Sequence, residues 1–563
     1  MQNAISFVGM LVLIFAAWCF SEDRRRFPWR VVTWGLALQM LFGFLVLRWE
    51  PGTKFFLKLN DVFNALLAFS KDGAVFVFGA LGSTGPGSLQ EYLTHLGAES
   101  HDPVVAAAVR SQVVPGFFFA FQVLTTIIFF SALLSVLYYL GIMQKIVLLC
   151  AKIMAATMQV SGAESLSNAA NIFVGQTEAP LVVRPYVEKM TRSELMAIMV
   201  GGYANTAGGV LGAYVLMLVA FFPNIASHLI TASVLSAPAA FIFAKVLVPE
   251  RETPLTQGEI RMEVPVEDAN LLDAAANGTT VGWQLAINVA AMLVSFYALL
   301  KMSNGFVAWL GGFFRDSGGV LAFDLMAAAC VAALLYVERR GAPKDAQMWL
   351  LLGALAAAYL SLRALGQPGV ARLVGLAGAA GWFPLLLESR REKGFGTRAW
   401  GSVLAAAVIA NVVFWRWGPL PSGTTLSLEL ILGWLHWPVA FVMGVPAQDC
   451  MAVAKLLGEK LILTEFGAYL DLSSQLAAAA RGDIPSLDPR SLVIVSYALC
   501  GFANIASIGI QIGGISPLAP SRRHDIARLG FKAMVGGALA TFMIACVAGV
   551  FYTGPGVLGL SSR

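Results

Sequence analysis

Long apolar stretches recur along this chain of 563 residues, and they restrict its fold more than any other feature. A helix of about 20 apolar residues is long enough to cross the hydrocarbon of a bilayer. Only 13% of the residues are charged and 58% are hydrophobic, whereas a soluble domain has about 25% charged residues. The sequence therefore predicts an all-α polytopic membrane protein.

We expect membrane spans at residues 4–20, 29–48, 114–140, 195–222, 226–248, 281–302, 319–337, 346–365, 369–387, 399–417, 490–513 and 530–553. Three other segments do not fit a simple span: 142–158, 161–187 and 429–470. We predict that the two long segments form re-entrant hairpins. Irregular backbone at membrane depth is tolerated where protein or a water-filled cavity surrounds it.

The positions of arginine and lysine predict the orientation of the chain, since loops rich in these residues stay in the cytoplasm. The segment EDRRRFPWR follows the first span and is expected inside, together with VRPYVEKMTRSE and SRRHDIARLGFK. The N-terminus is then outside, and the first span is expected to be retained rather than cleaved as a signal peptide. Residues 70–102 carry a single lysine and are predicted to lie outside.

Four parts are predicted along the chain. Residues 1–158 form N-terminal helices and a scaffold, and residues 303–426 contribute about four inserted transmembrane helices. Residues 159–302 and 427–563 form the two halves of an inverted-repeat core with discontinuous helices. An even number of inserted crossings returns the chain to the side it left, so the insertion does not invert the second half.

The two halves resemble one another. GQTEAPL in the first half is followed by GGYANTAGGVLGAY, and LILTEFGAYL in the second half is followed by CGFANIASIGIQIGG. Each half pairs a Thr-Glu in a hairpin with a later Gly-aromatic-Ala-Asn in a span rich in small residues. Matched polar segments interrupted by glycine indicate the central site of a transporter. Chance similarity between glycine-rich helices is the alternative.

Two carboxylates, Glu178 and Glu465, stand inside the predicted hairpins. An acid within a membrane domain is costly unless it is paired, hydrated or protonated, so it marks a functional site by default. The alternative is a carboxylate in water at a hairpin mouth, with no specific role. Hydroxyl and amide side chains nearby belong to Gln176, Thr177, Asn504 and Ser507.

This set of side chains suits a neutral solute rich in hydroxyl groups. A carboxylate accepts hydrogen bonds from vicinal hydroxyls, and an amide offers a donor and an acceptor to a heterocycle. Phe502 offers an apolar or stacking wall, although phenylalanine in a span more often serves packing alone. Asn171, Asn205 and nearby carbonyls offer oxygen ligands for a small hard cation, while asparagine also caps broken helices.

Several other classes of protein lack support in the sequence. The six cysteines include no CxxC pair, and the chain contains neither HExxH nor GxxxxGK[ST]. We therefore expect no disulfide framework, no thiolate metal site and no P-loop ATPase. The net charge of +5 reflects loop arginines and does not indicate a nucleic-acid partner. No cofactor is predicted.

At these motifs the chain resembles the concentrative nucleoside transporters. The similarity is carried by GQTEAPLVVRPYVEKMT, FQVLTTIIFFSALLSVLYYLGIMQ, GEKLILTEFGAYL and CGFANIASIGIQIGG, with LAPSRRHDIARLGFKAMVGG after the last. It runs over residues 50–302 and 427–555. The resemblance identifies no counterpart for residues 318–420.

The resemblance implies a homotrimer in which each protomer moves nucleosides, driven by sodium or, in some members, by protons. The residues that it assigns to the base are Gly175, Gln176, Thr177 and Glu178, with Val210 on the following discontinuous helix. The residues that it assigns to the ribose are Glu465, Asn504 and Ser507, with Phe502 nearby. The sodium ligands that it implies are Asn171, the carbonyl of Val174, Asn205 and the carbonyl of Thr206.

Three positions depart from the family pattern. Asn205 stands where serine or threonine is expected, which bears on the identity of the ion. Thr464 replaces an asparagine and Gly467 replaces a valine. These two residues flank Glu465, so they bear on recognition of the sugar.

The expected function is ion-coupled import of nucleosides by alternating access across the plasma membrane, which is the inner membrane in a Gram-negative bacterium. Sodium is favoured over protons as the coupling ion. Nucleoside, membrane lipid and further copies of the chain are the expected partners, and an enzyme is not expected. Two alternatives stay open: a membrane-embedded hydrolase with Glu178 and Glu465 as acid and base, and a nucleoside sensor without net transport.

Overall fold

The computed structural model describes residues 2–82, 118–258, 268–315 and 427–554. These residues form α-helices joined by short 3-10 turns and loops, and no strand occurs among them. The prediction of an all-α protein is therefore confirmed.

The described helices are numbered in chain order. The N-terminal helices are α1 (Gln2–Cys19), α2 (Trp29–Leu47), α3 (Glu50–Phe78), α4 (Phe119–Gln122), α5 (Leu124–Tyr139) and α6 (Ile142–Met158). The next helices are α7 (Gly162–Asn171), α8 (Arg184–Val187), α9 (Arg192–Ala204), α10 (Gly208–Leu218), α11 (Ile225–Leu247) and α12 (Leu271–Arg315). The last are α13 (Leu428–Val442), α14 (Cys450–Ile462), α15 (Glu465–Arg481), α16 (Pro489–Leu499), α17 (Ile505–Ile515) and α18 (Arg523–Phe551).

Two compact units make up the chain: residues 1–298 with 436–563, and residues 299–435. In the second unit, the side-chain amide of Asn304 donates to both carboxylate oxygens of Glu429 at 2.8 Å. Its oxygen accepts from the backbone N–H of Leu428 at 2.8 Å. The spans predicted between residues 319 and 417 lie outside the described residues.

Seven described helical stretches are long and apolar enough, by length and composition, to cross a membrane. Each coincides with a predicted span, and the differences lie at the ends. The stretch predicted at 281–302 belongs to α12, which begins at Leu271. Helix ends are set by caps and tertiary contacts, which an apolar run does not reveal.

The first part of the segment 70–102 is helical. Helix α3 continues to Phe78 and ends at Gly79, whose φ of 57° is a conformation that glycine adopts readily. The helix buries a single narrow face, at Asn60, Leu67, Ser70 and Ala74. Such an amphipathic helix lacks the continuous apolar run by which the other spans were predicted.

The two segments predicted as hairpins each contain helical pieces joined by a turn. Residues 162–187, called the first hairpin below, contain α7, a 3-10 turn and α8 within the range predicted for it. That this segment re-enters the membrane stays a prediction. The second hairpin consists of α14 and α15, residues 450–481, and the predicted range of 429–470 is therefore shifted. Helix α13 is a separate element, because Gly444 with a φ of 89° and Pro446 interrupt the chain after it.

The core of the first unit lies around α9, α10 and α11. Of the stretch Arg192–Leu218, 94% is buried, against 28% of Trp29–Leu47 near the periphery. Glycine allows close helix contact here: a Cβ atom added to Gly537 of α18 would lie 2.2 Å from Cβ of Tyr203 on α9. Of these core helices, α10 carries the predicted site residue Val210.

Three charged segments that were predicted to share one side of the membrane meet at Glu22. Its carboxylate accepts from Arg192 at 3.0 Å and from Lys532 at 2.9 Å. Burial alone would raise the pKa of Glu22, but the hydrogen bonds and charges of Arg192 and Lys532 outweigh it and lower the pKa below its usual value. These contacts bring the three segments together, as the predicted topology requires, and the side of the membrane that they face stays a prediction.

Two of the central spans are interrupted. Residues 205–207 separate α9 from α10 and are called the first break, and residues 500–504 separate α16 from α17 and are called the second break. Each pair of half-helices occupies the range of one predicted span, 195–222 or 490–513. Broken helix ends leave backbone groups without intrahelical partners, so the breaks provide polar groups inside the protein.

Candidate functional site

The tip of the first hairpin places a carboxylate directly over a glycine. A Cβ atom added to Gly175 would lie 2.1 Å from Oε2 of Glu178, so no larger residue fits at this position without a shift. Oε2 of Glu178 is buried and has no hydrogen-bond partner among the described residues. The carboxylate of Glu178 therefore keeps one acceptor oxygen that no donor of the described residues occupies.

Asn171 connects this tip to α9. Its side-chain amide lies 3.3 Å from the carbonyl oxygen of Gly175 and 3.3 Å from the backbone N–H of Gly202, oriented so that it donates to the first and accepts from the second. Asn171 is 1% exposed. The residue therefore joins the end of α7 to α9 inside the protein.

The first break is extended backbone held by side chains and by the hairpin tip. Asn205 accepts a short hydrogen bond from Ser236 and donates to the carbonyl of Gly201 at 3.4 Å. The backbone N–H of Gly208, which begins α10, donates to the carbonyl of Phe173 at 2.9 Å. The first break and the hairpin tip are thus in direct contact.

The second break faces the first. Gly501 has a φ of 118°, and a Cβ atom there would lie 2.7 Å from the carbonyl oxygen of Ala204 and 2.9 Å from that of Tyr203. Across the same region, the hydroxyl of Thr206 lies 3.1 Å from Sγ of Cys500. Glycine at residue 501 is what lets the two breaks approach so closely.

Glu465 is the most completely satisfied carboxylate at the site. It begins α15 and is 2% exposed. Its Oε1 accepts from the hydroxyl of Tyr214 at 3.0 Å, and its Oε2 accepts from the amide of Asn504 at 3.0 Å. Asn504 also caps α17 by accepting from the backbone N–H of Ser507 at 2.9 Å. Helices α10, α15 and α17 therefore meet at this carboxylate.

The tip of the first hairpin packs against α17. The amide of Gln176 donates to the hydroxyl of Ser507 at 3.4 Å. A Cβ atom on Gly514 would lie 2.4 Å from Cγ2 of Thr177, so this glycine accommodates the threonine methyl group. Polar residues predicted in separate halves of the chain are brought together by these contacts.

Two of the predicted site residues are apolar, and their side chains make no described contact with the polar site residues. Val210 is buried near the start of α10, and Phe502 is partly exposed at the second break. The described contacts do not connect either side chain to the polar groups. The assignments of Val210 to the base and of Phe502 to an apolar or stacking wall stay predictions.

Sequence reasoning missed two polar residues, Tyr214 and Lys460. The ammonium group of Lys460 is buried and donates to the carbonyl of Ala498 at 2.8 Å and to the hydroxyl of Thr541 at 3.1 Å. A cation near the C-terminal end of α16 is favoured by the helix dipole. A buried phenol or ammonium requires a partner, but burial is visible only in the structure. A lysine inside an apolar membrane segment is the sequence signal that could have found Lys460.

A second polar cluster lies at the start of the first hairpin, around Lys245. Lys245 forms an ion pair with Glu164 at 2.7 Å and with Glu250 at 3.4 Å. Ser161 donates to the carboxylate of Glu194 at 2.5 Å, and the two glutamates Glu164 and Glu194 complete capping boxes at the starts of α7 and α9. These contacts fix where both helices begin, and hence where the hairpin tip lies.

Family models cover most of the chain. The model described as Na+ dependent nucleoside transporter N-terminus matches residues 8–81, and the model described as Nucleoside recognition matches 120–221. The model described as Na+ dependent nucleoside transporter C-terminus matches 228–345 and 402–549. The expectation that 318–420 lacks a counterpart is therefore wrong at both ends of that segment.

Relatives of similar sequence include two mammalian proteins. Sodium/nucleoside cotransporter 1 of Mus musculus is 33% identical over 564 residues, which cover 99% of this chain and 65% of the mouse protein. Solute carrier family 28 member 3 of Homo sapiens is 33% identical, with 98% of this chain and 60% of the human protein covered. The chain thus spans slightly less than two thirds of the length of these relatives.

Solved structures share the fold. CNTnw in an inward-facing substrate-bound state has a TM-score of 0.68 and 32% identity, with 100% of both chains covered. A CNTnw variant in an outward-facing state has a TM-score of 0.67 and 32% identity, with 98% of both chains covered. Structures facing either side are therefore similar to this chain.

Proposed function

Because the chain belongs to the Na+ dependent nucleoside transporter family, we propose that it imports nucleosides by alternating access. Similarity to structures in inward-facing and outward-facing states supports such a cycle. The observation that carries the proposal is the buried carboxylate of Glu465, held by donors from two other helices. A costly buried acid, positioned so specifically, is explained by a ligand with hydroxyl groups.

The sugar binds at Glu465 in this proposal. Each oxygen of the carboxylate accepts one hydrogen bond from the protein and keeps further acceptor capacity, which suits two vicinal hydroxyls. Asn504 and Ser507 line the same place at the start of α17, and Phe502 forms an apolar wall. The hydroxyl of Thr464 is buried without a hydrogen-bond partner among the described residues, so it offers one more polar group to the sugar.

The base binds at the tip of the first hairpin. Oε1 of Gln176 and Oε2 of Glu178 are buried acceptors without hydrogen-bond partners among the described residues. Leaving such groups unsatisfied costs free energy, and the N–H and amino groups of a nucleobase are suitable donors. Gly175 keeps the carboxylate of Glu178 close to the backbone, and Thr177 and Val210 complete this side.

The coupling cation binds between the hairpin tip and the first break. Asn171 and Asn205 both hydrogen-bond to the Gly201–Gly202 segment of α9, and the carbonyls proposed as further ligands belong to Val174 and Thr206. Neutral amide and carbonyl oxygens suit a hard cation. No group of three His, Cys, Asp or Glu suited to a metal ion occurs in the described part of the chain. These donors fit sodium better than a transition metal.

Coupling to a cation supplies the energy for accumulation. With neutral ligands the bound ion carries its charge across the membrane, and one charge moving through 100 mV is worth about 2.3 kcal/mol. That energy concentrates a neutral solute roughly fiftyfold at one ion per nucleoside. The nucleoside leaves chemically unchanged, so no enzymatic step is proposed.

Assembly and location complete the proposal. The protein acts as a homotrimer in the plasma membrane with its N-terminus outside. Residues 1–158 serve as scaffold helices, and residues 159–302 and 427–563 form the transport core. Residues 303–426 form the insertion.

Uptake of labelled uridine and adenosine into proteoliposomes tests the proposal, with a sodium gradient, a proton gradient or neither imposed. We expect accumulation with the sodium gradient, and chromatography of the contents should recover intact nucleoside. Asn205→Ser, which restores the residue type expected in the family, should change the sodium concentration for half-maximal uptake and leave the maximal rate nearly unchanged.

Three results would contradict the proposal in different ways. Accumulation driven only by protons would exclude sodium as the coupling ion. Recovery of free base and sugar would indicate the hydrolase. Nucleoside binding without flux under any gradient would indicate a sensor.

A further inference from the structure

Tyr214 is absent from the residues that the sequence motifs assign to the site, yet it contacts the central carboxylate. Its hydroxyl donates to Oε1 of Glu465 at 3.0 Å, and the side chain is 0% exposed. On the other oxygen, Asn504 donates at 3.0 Å. The carboxylate therefore has one donor on each oxygen, and the two donors come from α10 and α17.

The ring of Tyr214 is held against the helix that begins with Glu465. It stacks on the ring of Tyr469 with centroids 4.5 Å apart and an interplanar angle of 25°. It also meets the ring of Phe466 edge-on, with centroids 4.7 Å apart. The phenol cannot swing away without disturbing this aromatic packing, so the position of its hydroxyl is set by the fold.

Helix α10 also links this hydroxyl to the first break. The helix begins at Gly208, whose backbone N–H donates to Phe173 in the hairpin tip at 2.9 Å. Asn205 and Thr206 directly precede it. Tyr214 thus stands on the same short helix whose N-terminus adjoins the proposed cation ligands.

We propose that Tyr214 is a positioning residue for the sugar, an inference that rests on the proposed function. An ionised carboxylate has about four acceptor positions, and Tyr214 and Asn504 occupy one on each oxygen. The remaining positions point away from these donors, so the phenol decides where Glu465 presents acceptors to vicinal hydroxyls. Without the phenolic hydroxyl, the carboxylate can rotate about its last bond and lose that alignment.

Tyr214→Phe tests this role because it keeps the ring stack and removes only the hydroxyl. Initial rates of uridine and 3′-deoxyuridine uptake into proteoliposomes are measured for wild type and variant. We expect the KM for uridine to rise about tenfold, with a nearly unchanged maximal rate. The KM for 3′-deoxyuridine should rise less, so the wild-type preference for uridine shrinks.

Tyr469→Phe is the matched control. It removes a hydroxyl from the same stacked pair, but that hydroxyl donates to the carbonyl of Ser496 at 2.7 Å and is not a donor to Glu465. Its preference for uridine should match that of wild type. Melting temperatures of the purified proteins show whether either variant is misfolded.

Two outcomes overturn the inference: an unchanged KM in Tyr214→Phe, or an equal rise for both nucleosides, which a general structural defect would produce. If Tyr214→Phe does not fold, uptake by Tyr214→Met decides instead, since this flexible apolar side chain fits the buried position without a strong hydrogen-bond donor and should again reduce the preference for uridine. Absence of uptake by the wild-type protein would contradict the proposed function itself, so the two failures are distinguishable.

Discussion

The two hairpin glutamates stand in similar motifs but in different surroundings. Glu465 is 2% exposed, and both of its oxygens accept hydrogen bonds from the protein. Glu178 is partly exposed, and its Oε2 has no hydrogen-bond partner among the described residues. The first carboxylate is therefore preorganised by the protein, while the second keeps an acceptor for a ligand.

The two breaks differ in the same way. Asn205 in the first break is bonded to Ser236 and to the carbonyl of Gly201, within its own half of the chain. Asn504 in the second break caps α17 and donates to Glu465. The asparagines of two nearly identical Gly-aromatic-Ala-Asn motifs therefore have different hydrogen-bond partners. Similar residues in the two halves have different structural roles.

The largest expected effect comes from removing the preorganised charge. In Glu465→Gln, the negative charge is lost and one of the two acceptor oxygens becomes an NH2 donor, so the side chain no longer offers an acceptor on both sides to a pair of hydroxyls. We expect uridine uptake in proteoliposomes to fall roughly hundredfold. Asp471→Asn on the same helix, where the carboxylate accepts from Gln475 and has not been assigned to the site, should transport normally. Unchanged uptake by Glu465→Gln would remove this carboxylate from the sugar site.

The close approach of the two breaks predicts a large effect on stability. Alanine at residue 501 would require a strained φ and would bring Cβ within 3 Å of two carbonyl oxygens. We expect Gly501→Ala to destabilise the protein by about 2 kcal/mol, which appears as a lower melting temperature in detergent.

Gly467→Ala is the comparison for that variant. The nearest atom to its added Cβ is Cδ1 of Leu463 at 3.2 Å, a side-chain end that can move, and alanine favours a helix over glycine. Its melting temperature should equal or exceed that of wild type. Equal melting temperatures for Gly501→Ala and wild type would show that the breaks do not require this contact.

A smaller effect is expected at the less constrained carboxylate. Glu178→Gln keeps one acceptor oxygen but replaces the other with a donor, so the KM for nucleosides should rise about tenfold. The change should depend on the base and not on the presence of the 3′-hydroxyl. Glu188→Gln is the control, because Glu188 is exposed and lies after the hairpin tip. This variant should leave the KM unaltered. Loss of sugar discrimination in Glu178→Gln would reverse the assignment of the two carboxylates.

Much of the architecture was predictable from local sequence. The seven long apolar helices of the described residues and the two polar motifs follow from apolar run length and short motifs. Helix α3 was missed because it buries only one face, and the second hairpin was shifted because Gly444 and Pro446 set its boundary. Each error concerns an element whose limits depend on packing rather than on composition.

The sequence by itself determined that this protein lies in a membrane and that it carries paired acids and asparagines in two related halves. These are properties of neighbouring residues. Only the tertiary structure decided which acid is satisfied, because the partners are distant in the chain. Tyr214 and Glu465, which are hydrogen-bonded, are 251 positions apart in the sequence. Lys460 and Thr541, also hydrogen-bonded, are 81 positions apart. Such contacts arise from helix packing, which no local pattern encodes.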